Sequence, residues 1–175
     1  MRTGRATRFV LSAVIIAMVL SACDAGDDAE SPLEDLDLIG VDFELNSMII
    51  ENTGDSVVRT EGLWAHRDGE SFQFNIFIIE PRATILFSMR DLGDISTGGG
   101  ELALADSDSF DDPTSMLEYV AWGQGELALS ETATEAGLWP PDEGTISVPE
   151  ATIALLRVDP TGSGPLAWEA TNEID

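Results

Sequence analysis

From residue 38 onward the chain is written in short apolar runs separated by turn-forming residues, and the recurring period is two. Val41, Phe43 and Leu45 alternate with Asp42 and Glu44, which predicts a half-buried strand over Leu38 to Leu45. Met48-Ile49-Ile50 runs into Glu51-Asn52-Thr53-Gly54-Asp55, where Gly54 can take the positive φ of a turn. Val57-Val58 and Leu63-Trp64-Ala65 follow, and Arg67-Asp68-Gly69 marks the next turn. Phe72, Phe74 and Ile76 alternate with Gln73 and Asn75, and Glu80-Pro81-Arg82 turns the chain before Ile85-Leu86-Phe87. Later runs are Leu102–Leu104, Met116–Trp122, Ile146–Val148 and Ile153–Val158. No long stretch carries a capped helical stripe; the nearest are Pro113–Tyr119, with Asp112 as a cap, and Glu126–Thr134, each good for a turn or two. Short strands at this spacing predict an all-β antiparallel sandwich of two sheets, with a small closed barrel as the competing architecture.

The first residues follow a different pattern. Arg2, Arg5 and Arg8 precede an uncharged, largely apolar run from Phe9 to Leu20. Twelve helical residues reach about 18 Å, short of the ~30 Å hydrocarbon core, so residues 1–22 read as a signal peptide and not as an anchor helix. Leu20-Ser21-Ala22-Cys23 closes that run and resembles the lipobox of bacterial lipoproteins. The resemblance implies that Cys23 is joined to a diacylglycerol and becomes the first residue of the mature chain. Two or three long acyl chains then anchor it firmly, since each buried CH₂ contributes about 0.8 kcal/mol. The implied location is the extracytoplasmic face of the cell membrane. In a Gram-negative cell, Asp24 is similar to the residue that keeps lipoproteins in the inner membrane.

Charge sharpens this picture. The 175 residues hold 33 acids, eight arginines and no lysine, a formal charge of -25. Such a surface repels phosphates, which argues against a nucleic-acid partner. Removing the leader leaves five arginines against the same 33 acids. Half of the residues from Asp24 to Asp37 are acidic, so residues 23–37 are expected to be a disordered spacer that stands the domain off the membrane. Residues 38–158 form the expected domain, and the Pro- and Gly-rich segment 159–175 an expected flexible tail, with Trp168 available to dock on the domain. The single Cys excludes an internal disulfide or a multi-Cys metal site.

Within the domain, Ile49-Ile50-Glu51-Asn52-Thr53-Gly54-Asp55 followed by Gly62-Leu63-Trp64 resembles the lamin-tail domain, with Leu63 inserted in that family's Gly-Trp pair. Ile79-Glu80-Pro81 with Ile85-Leu86-Phe87, Glu101–Asp106, Glu118-Tyr119-Val120-Ala121-Trp122-Gly123 and Gly137-Leu138-Trp139-Pro140 are similar to its later segments. The resemblance covers Val41 to Gly144 and implies an immunoglobulin-like β-sandwich that acts as an interaction module. Trp64 and Trp122 would fill the gap between sheets, and Glu51-Asn52 would tie the adjacent turn.

Little of the sequence points to catalysis. His66 is the sole histidine and reads as an exposed turn residue at a strand end; no Gly-x-Ser-x-Gly elbow accompanies it, so no catalytic residue is assigned. Paired carboxylates for a hydrolase are unspecific among 33 acids. Asp106, Asp108, Asp111 and Asp112 form an acidic loop that can wrap a hard cation such as Ca²⁺, although Asp111 and Leu117 stand where an EF-hand requires Gly and Glu. Gly98-Gly99-Gly100 lacks the Lys and helix of a phosphate cradle. The expectation is therefore a lipid-anchored envelope protein with a non-catalytic β-domain, no cofactor, and a protein or polysaccharide partner. A calcium-dependent module is the alternative, and a carboxylate hydrolase the third.

Overall fold

The computed structural model describes residues 33–90 and 93–173. The expected signal peptide, Cys23, Asp24 and all but the end of the spacer lie outside the described residues. The strands among the described residues are β1 (Leu36–Asp42), β2 (Ser47–Asn52), β3 (Val58–Arg59), β4 (Trp64–Arg67), β5 (Glu70–Gln73), β6 (Ile78–Ile79), β7 (Thr84–Ser88), β8 (Gly99–Ala105), β9 (Met116–Gly123), β10 (Ala154–Arg157) and β11 (Trp168–Thr171), with a single short α-helix there, α1 (Ser130–Glu135). One sheet has the order β11-β10-β1-β2-β7 and a second the order β5-β4-β8-β9, with a ribbon of β3 and β6 beside them. All the named strand pairs are antiparallel, so the described residues form an all-β fold, and the sheets are open-ended where a barrel would be closed.

The core explains the pattern. Leu36, Leu38, Val41, Met48, Ile50 and Leu155 from the first sheet and Ala65, Leu102, Leu104, Val120 and Trp122 from the second are buried in one cluster. Trp122 is fully buried, meets Phe43 edge-to-face at 5.7 Å, and donates its indole N–H to the Ser96 carbonyl at 2.8 Å. Trp64, expected beside it, is only partly buried and packs at the periphery.

Several boundaries differ from the sequence pattern for local reasons. β1 starts two residues inside the expected spacer and stops at Asp42, because the Asp42 carboxylate accepts the Leu45 N–H at 2.7 Å and turns the chain. Leu45 is consequently exposed, and the alternation through it belongs to a turn. A bulge between Leu38 and Gly40 brings Gly40 close to Ile49 of β2. The segment 113–119 yields mostly to β9, and the helix expected over 126–134 is displaced to Ser130–Glu135. Ile146–Val148 contributes a single bridge, Ile146 to Trp122.

The expected flexible tail needs a larger correction. Residues 168–171 pair with 154–157 in regular register, and Trp168 and Ala167 are buried. Gly162 and Pro165 belong to the connection that lets the strand return: Arg157 donates to the Gly162 carbonyl at 3.1 Å, and the Val158 N–H reaches the Ala167 carbonyl at 2.8 Å.

Candidate functional site

A polar centre lies beneath the second sheet, and a cleft opens beside α1. Glu101 on β8 is fully buried. Its carboxylate accepts the Tyr119 hydroxyl at 2.9 Å, the Ala128 N–H at 2.9 Å and the Leu129 N–H at 3.2 Å. It thus satisfies backbone donors at the approach to α1 that the fold would otherwise leave dry. The Tyr119 phenol is pushed well above its ordinary range by burial and by the adjacent Glu101 carboxylate, and it remains a neutral donor.

His66, expected in an exposed turn, is instead buried on β4, with Ala103 of β8 and Ser71 of β5 as its register partners. Phe110 packs against its ring at 5.2 Å. The Gly69 N–H donates to Nε2 at 3.1 Å, which places the ring proton on Nδ1, facing the Ser71 hydroxyl at 3.1 Å. Burial lowers its pKa below 6.5 against the opposing pull of Glu101, Asp68 and Glu70. The Asp68 carboxylate accepts the Glu101 N–H at 3.0 Å. Asp68 and Glu101 do line a shallow recess of about 370 Å³ with Gly69, Gly99, Gly100 and Glu126. Both are nonetheless engaged by the protein's own donors.

The acidic loop is the β8–β9 connection. Asp106, Asp108, Asp111 and Asp112 are all exposed, and the loop closes on itself: Asp106 N–H to the Ser115 carbonyl at 3.0 Å, and Ser107 hydroxyl to the Ser115 hydroxyl at 3.0 Å. The Asp112 carboxylate accepts the Thr114 hydroxyl and N–H at 2.7 and 2.9 Å, which hold it below the usual carboxylate range. Among the described residues no three His, Cys, Asp or Glu side chains converge as a metal-binding group. The loop's buried residue is Phe110, on His66.

A second polar cluster crosses between the sheets. Arg157 on β10 donates through one nitrogen to both oxygens of Glu118 on β9, at 2.9 and 3.0 Å. Burial pushes the Glu118 carboxyl up to about 7 despite Arg157, and Asp37 beside it adds to the rise.

The cleft beside α1 has a volume of about 520 Å³. Leu127, Trp139, Pro140 and Pro141 give it apolar walls, while Glu131, Glu135 and Glu143 stand around it. Trp139 is itself anchored edge-on against Tyr119 at 5.4 Å. Gly137, at φ 77°, ends α1 and lets Leu138 and Trp139 both donate to the Ala133 carbonyl, which folds the Trp-Pro-Pro segment back along the helix. In the sequence Gly137–Pro140 reads only as a motif; the glutamates of α1 and Glu143 become neighbours through this reversal, which no spacing announces.

Comparison of the chain with protein-family models, with curated proteins and with solved structures gives no match in any of the three.

Proposed function

We propose that the chain is a lipid-anchored protein of the bacterial cell envelope whose lamin-tail-like, immunoglobulin-type sandwich is a non-catalytic binding module. Acylated Cys23 is its anchor and the acidic residues that follow are its stand-off from the membrane. The observation that carries the non-catalytic part is the commitment of the polar centre. Glu101 engages Tyr119 and two backbone N–H groups, and His66 is held between Ser71 and Gly69, so the groups best suited to proton transfer serve as structural ties. Asn52 supports the lamin-tail reading: it ends β2, accepts the Gly54 N–H at 2.9 Å, and donates to the carbonyls of Ser56, Ile79 and Glu80. Asn52 thereby ties the end of β2 to the turn after it and to the β6–β7 connection.

Anchoring is tested in cells with Cys23→Ser. The parent protein is expected in the membrane fraction and the variant in the soluble extracytoplasmic fraction; equal distribution of the two would contradict the anchor.

A further inference from the structure

We propose that the cleft beside α1 is a docking site for a basic peptide segment of a partner protein, a reading that rests on the binding-module function and names its ligand class. The volume, about 520 Å³, falls within the range of ligand sites. Apolar walls from Leu127 and the Pro140-Pro141 pair over the buried Trp139, bordered by Glu131, Glu135 and Glu143 with no basic side chain in the lining, present two complementary surfaces at once. Lys and Arg match both, because their methylene stems cover apolar surface while their charged heads reach carboxylates. A neutral polysaccharide would leave the three carboxylates without counter-charge, and an anionic lipid surface or nucleic acid would be repelled by them. The cleft is also preformed: the Gly137 reversal fixes the Trp139 wall, and Tyr119 and the α1 backbone hold it, so binding requires little ordering of the protein.

The test uses the purified full chain and a blocked octapeptide of alternating Lys and Pro, with the matching Glu–Pro peptide as control, titrated calorimetrically at about 0.15 M salt, where diffuse attraction is screened. Saturable one-to-one binding of the Lys–Pro peptide alone is expected. Glu131→Gln with Glu135→Gln should weaken it about tenfold or more, whereas Glu61→Gln with Glu70→Gln, which removes the same charge from exposed positions outside the cleft, should change it less than about twofold. Thr134→Trp, which fills the cleft and keeps every charge, should also weaken binding about tenfold. Melting curves establish that each variant is folded, and the glutamine pairs decide the matter if the tryptophan variant is not. Absence of saturable binding, or equal weakening by both glutamine pairs, overturns the proposal. Neither result bears on acylation of Cys23, and an unmodified Cys23 would leave the cleft's occupant standing.

Discussion

Glu101 illustrates how a single side chain organises this domain. It is one of 33 acids and its local sequence gives no sign of burial, yet it is fully buried and holds one hydroxyl and two backbone donors. Removing it leaves those donors dry, so Glu101→Ala is expected to lower stability by about 3 kcal/mol in urea unfolding, against less than about 0.5 kcal/mol for Glu126→Ala at the exposed neighbouring loop. Equal effects of the two substitutions would refute the structural role. Glu118 adds a pH dependence of definite sign. Its carboxyl lies at about 7 in the folded chain and 4.5 ordinarily, so the native state favours the protonated form. That contribution is complete below about 4.5 and is lost as pH rises through about 7. Between about pH 5 and about pH 8 the parent should lose on the order of 2 kcal/mol more than Glu118→Gln; identical profiles would show that Arg157 holds the carboxylate ionised throughout. His66 acts in the opposite direction, since a lowered histidine pKa contributes stability above 6.5 that is lost on acidification, so comparison with the glutamine variant isolates the contribution of Glu118.

At the scale of elements, the central strands were legible and the connections between them were not. Met48–Ile50, Ile85–Phe87, Leu102–Leu104 and Met116–Trp122 each fall within a strand, because two-sided packing and alternation are local properties of the sequence. Alternation through Leu45 misled, since one carboxylate, Asp42, was enough to end β1 early. His66 misled for a different reason: its burial depends on Phe110 and Glu101 from distant segments, whereas its neighbours Arg67-Asp68-Gly69 read as a turn. The most informative miss is β11. A Pro- and Gly-rich connection looks the same whether it leads nowhere or returns a strand, and only Trp168 hinted at the second outcome. Because Trp168 packs into the core cluster as β11 covers the edge of β10, Trp168→Ala is expected to cost about 3 kcal/mol and to lower the melting temperature by several degrees. An unchanged melting temperature would return the segment to the status of a tail.

At the scale of the whole molecule, the cleft depends on the fold, whereas the proposed anchor depends on the first 23 residues. The cleft was invisible in the sequence because Glu131, Glu135 and Glu143 meet Trp139 and the two prolines only after Gly137 reverses the chain. The proposed anchor is the reverse case, resting on Leu20-Ser21-Ala22-Cys23 alone, outside the described residues. With five arginines against 33 acids from Cys23 onward, the proposed mature chain stays near a membrane of like charge only if something other than electrostatics holds it there. The most direct measurement is mass spectrometry of the mature protein extracted from membranes. Acylation predicts an amino terminus at Cys23 whose sulfur carries a diacylglycerol; a mature chain with an unmodified Cys23 thiol, or one beginning at another residue, would contradict the lipid anchor.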